Sequence, residues 1–145
     1  MHAFNIINKN ITQIFNNLTF GGNAELEFVN FLDPFTEGIL LQIMPKKKTW
    51  KPISNLSGGE KTLASLSLIF ALHQYNPSSF YIMDEIDAAL DYKNVLLISN
   101  YIKQVNSQFI VISFKNDMFE MAKLLIGVYK TKNHSNVITY LTHTE

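Results

Sequence analysis

The first stretch of the chain repeats apolar residues at helical spacing. Ile7, Ile11, Ile14 and Leu18 lie three or four positions apart, and mostly Asn, Lys, Gln and Thr stand between them. This period puts the apolar side chains on one stripe of a helix. We therefore predict a helix over residues 1–18, which ends at the glycine pair that follows it.

The next segment changes to a period of two. Residues 24–32 are predicted to be extended, because Glu25 and Glu27 alternate with Leu26 and Phe28, as in a strand with one buried face. A turn signal with Pro and Gly over residues 33–38 separates this segment from an apolar run over residues 39–44. The pattern predicts a β-hairpin made of these two strands.

Beyond residue 59, helical patterns alternate with short apolar runs. We predict helices at 60–75, 92–105 and 117–124, and strands at 80–83, 109–113, 126–129 and 137–141. Short apolar runs between polar segments are typical of strands buried inside a parallel sheet. Their alternation with helices favours an α/β fold whose mainly parallel sheet is flanked by helices.

Composition narrows the classes of protein that fit these elements. With 145 residues, 47% of them hydrophobic, the chain can form the core of one domain or of one lobe of a larger domain. Twelve basic and twelve acidic residues give a formal net charge of zero, so a bulk electrostatic attraction to nucleic acid or to a membrane is not expected. The absence of cysteine excludes a disulfide framework and a thiolate zinc site. We also expect no membrane span and no secretory signal.

A run of three lysines, Lys46, Lys47 and Lys48, follows the second predicted strand. Like charges in a loop are typical of a solvated surface, and this interpretation is favoured. A local phosphate contact on DNA is the alternative.

Two glycines and a serine stand directly before the predicted helix 60–75. Gly58 and Gly59 let the backbone approach a ligand closely, and the helix N-terminus presents unpaired N–H groups. Ser57 adds a hydroxyl donor, so the segment is suited to bind a phosphate. Ser-Gly-Gly is also a common loop and helix-capping sequence, and this alternative stays open.

An acidic pair, Asp84 and Glu85, ends the apolar run 80–83. The carboxyl end of a strand is the usual ligand edge of an α/β sheet. One carboxylate is suited to Mg²⁺, which prefers oxygen ligands and keeps part of its water, and the other is suited to polarise a water for attack on phosphorus. The alternative is a strand end that simply meets solvent with acidic residues.

Taken together, the two motifs resemble those of the ATP-binding-cassette ATPases. LSGGEK looks like their signature motif, FYIMDE like a Walker B strand with its adjacent glutamate, and residues 88–91 like the D-loop. Residues 55–95 are similar over their whole length to the C-terminal half of a head of the structural maintenance of chromosomes (SMC) family. The flanking segments GGNAELE, LDPFTEGI, FIVISFKNDMFEMA and LIGVYKT are most similar to the larger, fourth-type SMC subunit of condensin.

This resemblance implies roles for individual residues. Glu85 would be the catalytic general base of ATP hydrolysis, and Asp84 would support Mg²⁺. The residues implied to bind nucleotide are Ser57, Gly58, Gly59, Glu60 and Asp91. The nucleotide itself would be held mainly by the partner head. The signature segment and the acidic pair would lie at opposite ends of this half of the head and serve two different nucleotides.

The resemblance also implies a division of the chain. Residues 1–18 would be the end of a coiled-coil arm, and residues 19–145 would be the C-terminal lobe of the head. The sequence contains no G-x-x-x-x-G-K-[ST] phosphate loop, so the chain would be incomplete without its own N-terminal lobe. Phe114 stands where cassette ATPases often place a histidine.

The function implied is that of a composite ATPase half-site with ATP and Mg²⁺ as cofactors. It would drive mitotic chromosome condensation. The protein would be nuclear and would spend part of the cell cycle in the cytoplasm. Its partners would be the smaller condensin SMC subunit, the C-terminal winged-helix domain of the kleisin, and DNA through the assembled complex, but no membrane. A hydrolysis-incompetent lobe that binds the kleisin is one alternative. A DNA-repair ATPase of the Rad50 type is another, whereas Glu60 argues against a transporter domain, which usually has glutamine there.

Overall fold

The structure is a computed structural model that describes residues 1–142 of the chain. The last three residues of the predicted lobe, 143–145, lie outside this range. The helices are α1 (His2–Thr19), α2 (Gly58–Tyr75), α3 (Tyr92–Gln104) and α4 (Asn116–Phe119). The strands are β1 (Asn23–Phe28), β2 (Ile39–Met44), β3 (Lys51–Pro52), β4 (Phe80–Asp84), β5 (Gln108–Ile112), β6 (Leu124–Thr131) and β7 (His134–Leu141), and a 3₁₀ turn spans Ile53–Asn55.

The first helix confirms the predicted apolar stripe. Its buried residues are Ile11, Ile14, Phe15 and Leu18, and they join one core with α2 and α3. Side chains of α1 also bond the neighbouring strand, because Thr12 Oγ1 donates to the Ala24 carbonyl at 2.7 Å. The second half of this helix is therefore packed into the domain.

The predicted hairpin is present as the antiparallel pair of β1 and β2, which runs from Asn23 opposite Met44 to Phe28 opposite Ile39. The first strand ends at Phe28, earlier than predicted. Beyond it, the Asn30 side chain accepts the backbone N–H of Leu32, at 3.0 Å. Such local bonds give the backbone an alternative to strand pairing, which explains the early end. The short strand β3, which pairs with β2, was not predicted.

Strands β4 and β5 form the parallel pair that the apolar runs predict. They pair from Phe80 opposite Gln108 to Asp84 opposite Ile112, with α3 between them along the chain. One face of this pair is covered by the helices and carries Tyr81, Met83, Phe109 and Val111. The other face is open and carries Phe80, Ile82, Ile110 and Ile112, which are 46–65% exposed.

The prediction of a mainly parallel sheet is wrong for the last two strands. Strands β6 and β7 form an antiparallel hairpin, and β4 with β5 is the one parallel pair in residues 1–142. Lys132 and Asn133 connect β6 to β7, and both adopt positive φ values, 46° and 66°. Two residues in this conformation suit a tight hairpin turn, whereas a parallel crossover needs a dozen residues or more.

The helix predicted at 117–124 is also shorter than expected, since α4 covers Asn116–Phe119 and β6 already begins at Leu124. The Leu124 end of β6 pairs with Leu141 of β7. Pairing with a distant strand thus overrides the local helical pattern at the end of this segment. Within residues 1–142, no helix is both long and apolar enough to cross a bilayer.

Candidate functional site

Helix α2 and strand β4 run in opposite directions, which brings the signature segment and the acidic pair to one edge of the molecule. Near the end of α2, His73 Nδ1 lies 2.7 Å from the hydroxyl of Tyr81, at the start of β4. At the start of α2, Gly59 lies against Ala89, which follows the end of β4. Helix and strand are therefore antiparallel, and the expected placement of the motifs at opposite ends is wrong.

Close packing explains one of the two glycines of the signature segment. A Cβ added to Gly59 would lie 3.0 Å from the Ala89 carbonyl oxygen, which is closer than nearly all side-chain contacts. A Cβ on Gly58 would meet the Ala89 methyl group at an ordinary 3.5 Å. The start of α2 therefore contacts the backbone that follows β4 at a distance that only glycine at position 59 allows.

Ser57 caps the exposed N-terminus of α2 and is bonded to Glu60, the fifth residue of LSGGEK. The Glu60 carboxylate accepts the Ser57 backbone N–H at 3.1 Å and the Ser57 hydroxyl at 2.9 Å, both through Oε2. This is the reciprocal contact of a capping box, in which a glutamate satisfies a free donor at the start of the helix. The Ser57 hydroxyl proton is therefore already shared with Glu60.

A lysine completes this group of side chains. Lys48 Nζ donates to Glu60 Oε1 at 2.7 Å, the one ion pair among the described residues. The Lys48 bond lowers the pKa of the Glu60 carboxyl, bonds from Ser57 lower it further, and partial burial opposes them. Glu60 is accordingly ionised and charge-compensated at neutral pH.

The lysine run is exposed, as a solvated loop would be, but its three members differ. Lys46, Lys47 and Lys48 are all exposed, and Lys47 adopts a positive φ of 61°. Only Lys48 among them forms an ion pair within residues 1–142. The interpretation as a merely solvated run was therefore incomplete, because charge spacing in sequence does not show that Glu60 lies opposite Lys48.

The acidic pair stands at the carboxyl end of β4 and is exposed to solvent. Asp84 pairs with Ile112 in the parallel ladder, and the Glu85 backbone N–H extends it by a bond to the Ile112 carbonyl at 2.9 Å. Glu85 adopts a positive φ of 48°, a conformation uncommon for residues other than glycine. Strained backbone of this kind clusters at functional sites, where the surrounding structure maintains it.

Asp84 fits a magnesium ion as a single protein ligand. Its carboxylate is exposed at the strand end, and Mg²⁺ is commonly bound through one or two carboxylates plus water and phosphate oxygens. No group of three or more acidic or histidine residues in the described chain is placed to bind a metal alone. A metal at this edge would therefore depend on oxygens from a bound ligand.

A buried network fixes the segment after the acidic pair, and the sequence analysis missed its members. Asp87 is 3% exposed and accepts a hydrogen bond from the Ser113 hydroxyl at 2.5 Å. Ser113 in turn accepts the Lys115 backbone N–H at 3.0 Å, and the Lys115 ammonium donates to the Leu90 carbonyl. The available signal was a third carboxylate two residues after Glu85 and a Ser-x-Lys directly after β5.

Asp91, also predicted to bind nucleotide, caps α3. Its Oδ1 accepts the Asn94 backbone N–H at 2.9 Å, and the residue is exposed. Phe114, in the position where a histidine is common, is 81% exposed. Both side chains lie close in sequence to the network of Asp87 and Lys115, at the same edge.

Solved structures define the class of protein to which this geometry belongs. The Smc head domain with an extended coiled coil bound to the C-terminal domain of ScpA, from Pyrococcus furiosus, aligns with a TM-score of 0.90 and 39% identity, covering 95% of this chain and 35% of that one. A structure described under "Structural biochemistry of ATP-driven dimerization and DNA stimulated activation of SMC ATPases" aligns with a TM-score of 0.87 and 38% identity, covering 97% and 86%. The fold is that of an SMC head, an ATPase fold of the ATP-binding-cassette type.

Sequence comparison gives the family. A family model described as "RecF/RecN/SMC N terminal domain" matches residues 4–137. Structural maintenance of chromosomes protein 4 of Schizosaccharomyces pombe is 57% identical over 141 residues, which cover 96% of this chain and 11% of that protein. The chain therefore belongs to the SMC family and is of the protein 4 type. It spans about a tenth of the length of this relative.

One expectation is not supported by these matches. The matched family model is described as an N-terminal domain, which is at odds with the predicted placement in the C-terminal half of a head. The comparisons show membership of the family and the head fold, without that placement. The identity to protein 4 also favours the condensin type over a Rad50-type repair ATPase.

Proposed function

We propose that the chain is part of the ATPase head of a condensin SMC protein and contributes to ATP sites formed between two heads. The observation that carries this proposal is the common edge, where Gly59 of the signature segment touches Ala89, four residues after Glu85. Because the phosphate-binding segment contacts the residues that follow the catalytic pair, both can respond to the same neighbouring surface.

The signature segment would bind the terminal phosphate of a nucleotide carried by the second head. Ser57 and Gly58 are exposed, and the first N–H groups of α2 point out of the helix end. A helix N-terminus favours anions through these donors and its partial positive charge. Asp91, exposed beside the same edge, would lie at the junction of the two heads.

The acidic pair would perform the chemistry of hydrolysis. Asp84 would be a ligand of Mg²⁺, which when bound neutralises charge on the phosphates. Glu85 would accept a proton from the attacking water, because its carboxylate is exposed directly after the strand end. Its backbone bond to Ile112 fixes the position from which the side chain extends.

The open face of the parallel pair supports a second lobe of the same head as a partner. Phe80, Ile82, Ile110 and Ile112 leave one face of β4 and β5 uncovered. Contiguous apolar surface of this kind marks an interaction site. We propose that the lobe carrying the phosphate loop, which this sequence lacks, packs here and completes the nucleotide site.

Further partners follow from the relatives. A similar head binds the C-terminal domain of ScpA and carries an extended coiled coil. We propose that this head binds the C-terminal winged-helix domain of a kleisin, that residues 1–18 continue a coiled-coil arm, and that the second head is the smaller condensin SMC subunit. DNA would be bound by the assembled complex on nuclear chromosomes.

ATP hydrolysis by the reconstituted head tests the proposal. The chain is combined with the lobe that carries the phosphate loop and with a second head, and steady-state ATP turnover is measured. Glu85→Gln should lower turnover by roughly 100-fold or more, because general base catalysis contributes at least that much. The exposed Glu25→Gln on β1 is the matched control and should retain turnover. Equal turnover of the two variants, or none in the wild-type assembly, would contradict the proposal.

A role as a kleisin-binding module without hydrolysis is the second candidate. The missing phosphate loop favours it, since the chain alone has no segment to hold a nucleotide. In the same reconstitution, binding of the kleisin domain to an assembly that never hydrolyses ATP would support this candidate over the first.

A further inference from the structure

We propose that Lys48 is a positioning residue of the phosphate-binding segment, which neutralises Glu60 and keeps this carboxylate from repelling the bound anion. The inference rests on the proposed function, because it concerns the affinity of that segment for nucleotide. Lys48 belongs to the exposed lysine run, outside the segments that the resemblance assigns to nucleotide, and lies ten residues before the start of α2.

The first step is the position of the Glu60 charge. Its Oε2 lies 2.9 Å from Ser57 Oγ, the side chain that would bind the phosphate. A phosphate oxygen that accepts from the same hydroxyl would lie within about 6 Å of the carboxylate, since each such bond spans about 2.8 Å. Two negative charges at this distance repel each other appreciably near a protein surface.

The second step is the compensation by Lys48. Its ammonium lies 2.7 Å from Glu60 Oε1, on the carboxylate oxygen that Ser57 does not use. The pair has no net charge, so the anion meets the positive end of α2 without an opposing carboxylate. Lys48 thus acts through Glu60 and needs no contact with the nucleotide.

The third step is the competition for the Ser57 hydroxyl. A hydroxyl has one proton to donate, and in this structure it goes to Glu60. When a phosphate takes that proton, Glu60 keeps the Ser57 backbone N–H and the Lys48 ammonium. Because two donors remain, the exchange leaves no unsatisfied carboxylate, and Ser57 stays at the start of the helix.

The test compares two adjacent lysines in the reconstituted head. Lys48→Met removes the compensating charge, whereas Lys47→Met is the matched control in the same exposed loop. We expect Lys48→Met to raise the half-saturating ATP concentration about 5- to 10-fold with kcat within about twofold, and Lys47→Met to change neither. The split separates anion binding from the hydrolysis step at Glu85.

The opposite charges of Lys48 and Glu60 also predict a rescue. In Lys48→Met combined with Glu60→Gln, no net charge is left beside the segment, and the half-saturating ATP concentration should return to within about twofold of wild type. Glu60→Gln alone should lower it, because the Lys48 charge then stands beside the bound anion without its carboxylate partner. A residue that only stabilises the loop would instead give additive losses in the double variant.

Each outcome decides between the claims. If the wild-type assembly shows no turnover, the proposed function fails and this inference with it. If the wild type is active and Lys48→Met equals Lys47→Met, the inference alone is overturned. A double variant whose half-saturating ATP concentration is no lower than that of Lys48→Met also overturns it. If Lys48→Met does not assemble, a rise in the half-saturating ATP concentration of Glu60→Gln still overturns the inference.

Discussion

The signature segment and the acidic pair share one edge but are held in different ways. The side chains of Ser57 and Glu60 are bonded to each other and to Lys48. In the described residues, the carboxylates of Asp84 and Glu85 accept no hydrogen bond, and backbone pairing with β5 holds their position. Side chains already paired within the protein can be exchanged onto a ligand, whereas unpaired carboxylates are directly available to metal and water.

The largest effect is expected in the hydrogen-bond network of Asp87 and Ser113, which fixes the segment after the acidic pair. Ser113→Ala leaves the buried Asp87 carboxylate without its hydroxyl donor, and a buried acceptor without a partner costs about 1–3 kcal/mol. We expect a loss of that size in the free energy of unfolding of the head, measured by urea denaturation. Ser54→Ala, at an exposed serine of the 3₁₀ turn, is the control and should stay within about 0.5 kcal/mol.

An unchanged urea midpoint for Ser113→Ala would show that Asp87 is satisfied by other means. The segment between Glu85 and Asp91 would then not be fixed from β5.

Gly58 and Gly59 allow the packing of the signature segment to be tested separately from that of the acidic pair. Gly59→Ala places a methyl group 3.0 Å from the Ala89 carbonyl and should cost about 1–2 kcal/mol, because the backbone of one segment must move. Gly58→Ala meets only the Ala89 methyl at 3.5 Å and should be neutral or slightly stabilising, as alanine favours a helix. Thermal unfolding of both variants gives the difference directly.

Equal unfolding temperatures for the two glycine variants would contradict the close contact at Ala89. Since that contact is what joins the signature segment to the residues after Glu85, the coupling of the two motifs would lose its structural basis.

Much of this edge could be predicted from sequence because its signals are local. The Ser-Gly-Gly segment lies at the start of α2, and Asp84 and Glu85 end a short apolar strand, as the pattern indicates. The contacts that join these elements are not local. Lys48 is twelve residues from Glu60, and Asp87 is 26 residues from Ser113. Pattern and propensity carry no information on pairs so far apart.

The hairpin of β6 and β7 shows the same limit for topology. Its strands were expected, at 126–129 and 137–141, but the parallel arrangement was inferred from the alternation of strands with helices after residue 79. The turn at Lys132 and Asn133 contains no glycine, so the usual signal for a tight hairpin was weak. Apolar residues exposed on both strands, such as Val128 and Ile138, gave no alternation to reveal their pairing.

ATP-dependent association of the two heads tests the central claim most directly. We compare Glu85→Gln with Ser57→Arg in sedimentation experiments with and without ATP and Mg²⁺. We expect Glu85→Gln heads to associate with ATP but not to turn it over, since only the base is removed. Ser57→Arg heads should stay apart, because a bulky side chain blocks the exposed start of α2. Association of both variants to the same extent, or association that does not depend on ATP, would contradict the proposed roles of Ser57 and Glu85.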